Sequence, residues 1–219
     1  MDATEYNEQG SEAWFRERLG LPTSSMFATV LAKGVGKAES KTRRTYLMKL
    51  AGEILTGEPM DAYSNHHMER GKIMEAEARG FYAFMQDAEP EPVGFIRNGD
   101  TGASPDALLG QDGLLEIKTK LPHLLIDLIL KDKFPPEHKA QCQGQLWVAE
   151  REWLDLVVYW PKLPLFVKRV TRDEKYIEDL AAAVDDFNGD LQEMVGRIRR
   201  YEGEDKPGSV MEEAGMIMA

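Results

Sequence analysis

Ser104-Pro105-Asp106 is followed, after a Gly110-Gln111-Asp112-Gly113 turn signal, by Leu114-Leu115-Glu116-Ile117-Lys118. On an extended chain, residues two apart share a face, so Glu116 and Lys118 point together while Leu115 and Ile117 point toward a core. A hairpin about the glycine turn brings Asp106 near Glu116. Two carboxylates and an ammonium then converge. Close carboxylates raise one another's pKa unless a cation lies between them. Their oxygens suit Mg²⁺, which keeps several waters and often binds phosphate oxygens as well. Such an ion acidifies a water and stabilises charge on an attacked phosphate. Lys118 then serves to orient or deprotonate that water, or to offset transition-state charge. In-line hydrolysis of a phosphodiester is the reaction this set would serve, with Glu75 as a further carboxylate from a preceding helix. The ordinary alternative is a solvated sheet face on which Glu and Lys simply meet water, and spacing alone leaves both open.

The elements that must position these residues follow from periodicity and punctuation. Residues 11–33 read as helix, broken at Gly20-Leu21-Pro22, with Thr23 or Ser24 capping a second stretch that carries Met26, Phe27, Val30 and Leu31. Lys33–Lys37 is a basic loop with two glycines. Residues 40–56 return to helical spacing until Gly57 and Pro59, and 62–86 predict a long helix. After Pro90 the pattern turns to strands at 93–96, 103–109 and 114–118. A short helix is expected at 122–131. Pro135 and Pro136 open another that runs to about 150. Strands at 153–160 and 165–170 flank a Pro161/Pro164 turn, and Asp173 opens a last helix to about 201. The order implies an α/β (α+β) domain with a central mixed sheet flanked by helices.

A chain of 219 residues, 42% hydrophobic and 30% charged, suits one globular domain with a sizeable core and excludes wholesale disorder. No apolar run approaches the roughly 18 residues of a membrane span. The acidic start, MDATEYNEQG, is not a signal peptide. The single Cys142 excludes an internal disulfide and cysteine-rich zinc or iron–sulfur sites, and points to a reducing cytosol. His66, His67, His123 and His138 have no zinc spacing. The net charge is −11, from 27 Lys plus Arg against 38 Asp plus Glu. That balance argues against a nucleic-acid partner only if charge is uniform. Lys33, Lys37, Lys41, Arg43, Arg44 and Lys49 form one basic group, and Lys118, Lys120, Lys131 and Lys133 another. Asp and Glu crowd into 173–219, which is expected to lie on the outside.

Asp106, Glu116 and Lys118 together resemble the PD-(D/E)xK nuclease pattern. The wider chain resembles the lambda-type phage exonucleases, the YqaJ-like viral recombinases. The segments that carry this are Gly10–Gly20 (GSEAWFRERLG) with Thr23-Ser24-Ser25, then Gly71–Arg79 (GKIMEAEAR), Ala140–Trp147 (AQCQGQLW) and Arg172–Tyr176 (RDEKY). They span residues 9 to about 201 in the family's order. The resemblance implies a restriction-endonuclease-like core over 1–201 and a flexible acidic tail at 202–219. It implies a Mg²⁺-dependent processive 5′-to-3′ exonuclease on linear double-stranded DNA, with two ions per active site and Mn²⁺ able to substitute. Mononucleotides would be released and a 3′ overhang left. The implied partners are DNA ends with a 5′-phosphate, a phage single-strand annealing protein and two further copies in a ring-shaped homotrimer, in the cytoplasm of a bacterial host.

By the same likeness Asp106, Glu116 and the Ile117 carbonyl hold metal. Lys118 acts on the attacking water, and Glu75 and Gln141 are active-site helix residues. Arg18, Thr23 and Ser25 bind the terminal 5′-phosphate, Lys37 contacts DNA, and Met68 is an apolar wedge between strands. Val35 departs from an arginine the family can place there. Thr119-Lys120 replaces a small residue and proline. The readings that compete are a related endonuclease and a non-catalytic DNA-binding module. Residue by residue, Arg18 could instead pair with Glu12 or Glu17, Gln141 and Gln143 could face solvent, and Met68 could be core. Trp14 and Trp147 are expected in the core and Cys142 is expected to be buried. Met211, Met216, Ile217 and Met218 in the tail could dock a partner.

Overall fold

The computed structural model describes residues 8–34, 40–60 and 66–201, with the side chains of 66–70 and 72 not included. Lys37, the Met68 side chain and the 202–219 tail therefore lie outside the described residues. The order of elements is α1 (Glu12–Glu17), a 3₁₀ turn at Ser24–Met26, α2 (Phe27–Val30), α3 (Lys41–Thr56) and α4 (His66–Gln86). Then come β1 (Ile96–Asn98), β2 (Thr101–Ala103), β3 (Ala107–Leu109), β4 (Gly113–Thr119) and α5 (Pro122–Lys131). A 3₁₀ turn at Pro136–His138 leads into α6 (Lys139–Val148), followed by β5 (Trp153–Tyr159), β6 (Phe166–Thr171) and α7 (Glu174–Tyr201).

The main sheet runs β3-β4-β5-β6. Its β4–β5 pair is parallel and its two outer pairs are antiparallel. A parallel pair needs a crossover, and α5 and α6 supply it. Strand β4 is covered on both faces. Leu115 and Ile117 join Met74, Ala78 and Tyr82 of α4 in one cluster. Leu114 joins Leu125 and Leu128 of α5 and Cys142 and Leu146 of α6 in another. Each Leu fully buried here contributes roughly 1.5–3 kcal/mol relative to exposure. The solvated-face alternative for Glu116 thus fails, because the Glu116 side of β4 is packed beneath α6.

Three boundaries differ from the sequence reading. The expected strand 103–109 is split, because Pro105 has no N–H to give a ladder. Thr101–Ala103 turns back on β1, Ala107–Leu109 pairs with β4, and Asp106 sits at the kink. Gly102 is needed there: a Cβ would lie 2.0 Å from the Phe95 ring. The second helical stretch is only a 3₁₀ turn and one α turn, and Thr23 makes no side-chain cap bond. The first strand begins at Ile96 rather than Val93.

Helices α3 and α7 form a third layer. Ile177, Leu180, Val184, Phe187, Leu191 and Val195 make a helical stripe. It packs against Tyr46, Leu47 and Leu50, with Tyr46 stacked on Phe187. Glu178, Asp179, Asp185, Asp186 and Glu193 face outward. No helix among the described residues is long and apolar enough to cross a membrane.

Candidate active site

Glu116 is 3% exposed, and its carboxylate is fully engaged. Oε1 accepts from Gln141 Nε2 at 2.6 Å and pairs with Lys118 Nζ at 2.6 Å, while Oε2 accepts from Gln145 Nε2 at 2.5 Å. The two glutamines are four residues apart on α6, so they share the face turned to β4. Asp106 is 7% exposed, and its Oδ2 accepts from the Ile117 N–H at 2.5 Å. Its own N–H bonds the Leu115 carbonyl, so the kink after Pro105 is tied to the strand that carries Glu116. Glu75 projects from α4 and pairs with Arg79, one turn along, at 2.5 Å.

Burial, and then the charges of Glu116 and Glu75, push the Asp106 carboxyl well above the usual range. Burial also raises Glu75, aided by Glu116 and opposed by Arg79. Burial alone would lower Lys118, but the Glu116 and Asp106 carboxylates reverse it, and Lys118 is held as an ammonium. The donor set is thus short of positive charge, a shortage that a divalent cation would fill. Among the described residues no three His, Cys, Asp or Glu side chains are grouped to cage an ion. Two carboxylates with a main-chain carbonyl instead suit an ion that keeps much of its water, as Mg²⁺ does.

The second end of the cleft is a loop held by backbone contacts. Gly20, at φ +69°, donates its N–H to buried Glu53 Oε2 at 2.9 Å, and the Thr23 N–H donates to Tyr46 Oη at 3.2 Å. The Pro22 carbonyl accepts from the Gly102 N–H and from Thr101 Oγ1. On this loop Arg18 lies 4.1 Å over the Trp14 ring and donates to Thr23 Oγ1 at 3.2 Å. Thr23 Oγ1 lies 3.3 Å from Ser25 Oγ.

One cleft of about 260 Å³ is lined by both groups: Arg18, Thr23 and Ser25 at one end, Glu75, Asp106, Glu116, Ile117, Lys118 and Gln141 at the other. Nine of the sequence-predicted site residues are thereby brought together, and the remaining two, Lys37 and Met68, are those outside the described side chains. Several competing expectations are corrected. Glu12 pairs with Arg16 rather than with Arg18, whose guanidinium lies over the Trp14 ring. Trp14 is not core: it lines the cleft, and its Nε1 donates to Ser104 Oγ at 2.9 Å. Gln143 does not face solvent: it bonds the Thr171 carbonyl and the Asp173 N–H, joining β6 to α7. Trp147 and Cys142 pack in the core as expected. Within the two basic groups, Arg43 pairs with Asp190, Lys118 with Glu116, Lys120 with Glu137 and Lys131 with Asp127. The sequence reading missed Trp14, Ser104 and Gln145. Only Gln145 left a signal, its four-residue spacing from Gln141.

Residues 13–152 match the model of the YqaJ-like viral recombinase domain. Two crystal structures of LHK-Exo, an alkaline exonuclease from Laribacter hongkongensis, one of them with dAMP bound, share 32% identity with the chain. They cover 88% of it and 98% of their own length, at TM-scores of 0.80 and 0.79. A phage-related exonuclease from Haemophilus somnus shares 12% identity over 81% of this chain and 96% of its own. Its TM-score of 0.63 bears on the fold alone. No curated protein matches the chain significantly. With Asp106, Glu116 and Lys118 assembled in one cleft and more than half its length matched by the family model, this chain belongs to the YqaJ-like viral recombinase family.

Proposed function

We propose that the chain is a Mg²⁺-dependent exonuclease that processively degrades one strand of linear double-stranded DNA from its 5′ end. It releases mononucleotides and leaves a 3′ overhang for recombination by strand annealing. Family membership supports the coarser statement, a nuclease that acts on DNA. The observation that carries the finer one is the shared cleft, with hydroxyls and a guanidinium at one end and carboxylates at the other. A guanidinium and hydroxyls suit a terminal phosphate dianion. A strand anchored by that phosphate presents its first phosphodiester to the carboxylate end. Cutting there frees one nucleotide and creates a new 5′-phosphate, so the cycle repeats. The dAMP in LHK-Exo is a mononucleotide of the kind such a cycle would release.

Asp106, Glu116 and the Ile117 carbonyl would hold Mg²⁺, two ions per site and replaceable by Mn²⁺, which when bound supplies Lewis-acid charge and acidifies water. The chain's own groups do the rest. Lys118, held as an ammonium, orients water and offsets charge on the phosphate rather than taking a proton. Glu75, its carboxyl raised by burial, is suited to receive one. Gln141 fixes Glu116 from the cleft side. Trp14 and Thr23 hold Arg18 toward the terminal phosphate. On this reading residues 1–201 are the exonuclease unit and the working form is a homotrimeric ring. It acts with a phage single-strand annealing protein in the host cytoplasm.

The test is a linear duplex labelled at either the 5′ or the 3′ end, with Mg²⁺ or with EDTA, beside a closed circle. Release of 5′ label as mononucleotide, dependent on Mg²⁺ and sparing the circle, is expected. Cutting of the circle would make the protein an endonuclease. DNA binding without Mg²⁺-dependent release would make it a non-catalytic module.

A further inference from the structure

Gln145 sits behind the cleft and not on it. The cleft is lined by Gln141 and Lys118, both on Glu116 Oε1, whereas Gln145 meets Oε2 from the interior. Its side chain is 0% exposed, on a helix whose neighbours Cys142 and Leu146 pack with Leu114, Leu154 and Leu156. The orientation of its amide is fixed. Its NH₂ faces Glu116, to which it donates. Gln145 Oε1 then points into the packed interior with no hydrogen-bond partner among the described residues. Leaving a buried carbonyl unpaired costs about 1–3 kcal/mol. An aliphatic side chain of similar size would avoid that cost but would strip a donor from the buried Glu116 carboxylate, so what the amide serves here is Glu116 and not the surrounding packing.

We infer that Gln145 is a positioning residue, which holds the Oε2 oxygen of Glu116 and so aims Oε1 at the cleft. The inference rests on the reading of Glu116 as a metal ligand. Two glutamines one helical turn apart grip the two oxygens from one rigid helix. The carboxylate therefore cannot rotate without breaking a hydrogen bond to α6. Partners of this kind, which orient a ligand without touching the ion, typically contribute tenfold to a hundredfold in metal affinity.

The test uses the full chain and the variant Gln145→Met, with Gln145→Leu as a second shape in case methionine packs badly. Mn²⁺ binding is followed by loss of the free-ion EPR signal, and melting is measured without metal. Mn²⁺ affinity should fall on the order of tenfold. Melting should stay cooperative, lowered by no more than the donor Glu116 loses, and nucleotide release lost at limiting Mg²⁺ should return at high Mg²⁺. In a Glu116→Gln background the same change should have no further effect on Mn²⁺ binding, because the carboxylate that Gln145 orients is gone. Unchanged Mn²⁺ affinity in a variant that melts normally overturns the inference while the active-site reading stands. Loss of cooperative melting in both variants makes Gln145 a structural residue and also overturns it. If the parent chain binds no Mn²⁺, the active-site reading itself fails.

Discussion

The two ends of the cleft are built by opposite means. The carboxylate end stands on β4, covered on both faces and clamped from α6, and Glu116 there has three partners. The end proposed to take the phosphate stands on a loop between two short helices, and Ser25 is open to solvent. What steadies the loop is a set of backbone hydrogen bonds to Glu53, Tyr46 and Thr101, not a packed strand. The charges are opposite too: one end is short of cations and the other presents a guanidinium. Side-chain packing thus secures one end and backbone hydrogen bonds the other; on the proposed function, the packed strand carries the groups to be aligned and the loop meets the chain end that enters and leaves.

If that division is correct, the two ends should fail in different ways. The largest effect is expected from Glu116→Ala. Losing a ligand that stabilises transition-state charge is worth about 4 kcal/mol, roughly a thousandfold in rate. Binding to a DNA end should remain, since the loop is untouched. Single-turnover release of labelled nucleotide, beside end binding in Ca²⁺, separates the two. Next comes Arg18→Ala. A charged hydrogen bond is worth about 1.5–3 kcal/mol, about tenfold to a hundredfold. That loss should fall on 5′-phosphorylated ends and leave 5′-hydroxyl ends little changed. An equal loss on both kinds of end would mean that Arg18 serves the fold or the duplex and not the terminal phosphate.

The carboxylate end was also the more legible in sequence. Alternation along 114–118 placed Glu116 and Lys118 together, and the glycine turn brought back Asp106, because strand geometry is local. What alternation could not give was the cover on the far side. Burial of Glu116 depends on α6, which is reached only after a crossover of some twenty residues in sequence. Trp14 was misjudged for a related reason. An aromatic in an amphipathic pattern reads as core, but here the ring meets Ser104, ninety positions away, and no periodicity reports that. The split of 103–109 was legible in Pro105, whose missing N–H bars a continuous ladder. The basic residues of α3 were read as free for DNA, but Arg43 reaches Asp190 on α7, a contact set by tertiary packing.

Gly20→Ala probes the loop without touching a proposed contact. The residue is in the left-handed region, and a Cβ would fall 2.5 Å from Ile54 Cγ1. Strain of this kind costs about 1–3 kcal/mol. For a chain of this size that is about 2–4 °C of melting temperature for each kcal/mol. Because Gly20 hangs from Glu53, the displacement should weaken 5′-phosphate preference while metal binding persists. Loss of metal binding in this variant would show that the two ends are not mechanically separate.

The smallest effect, and the one whose sign is most informative, is on stability. Asp106 carries a raised pKa in the fold, with burial as the first cause and the neighbouring carboxylates next. Between its ordinary value and the raised one, the native state binds more protons than the unfolded state. Stability must then fall as pH rises through that window, and the penalty is complete above the raised value. Asp106→Asn removes the charge but keeps an oxygen for the Ile117 N–H. The variant should therefore melt with the parent near pH 4 and above it, by a few degrees, at pH 8 without metal. Mg²⁺ should close the gap by stabilising the parent alone, since only the parent offers the ion a second carboxylate. A gap that is flat with pH would mean that crowded charge is not what distinguishes this end of the cleft.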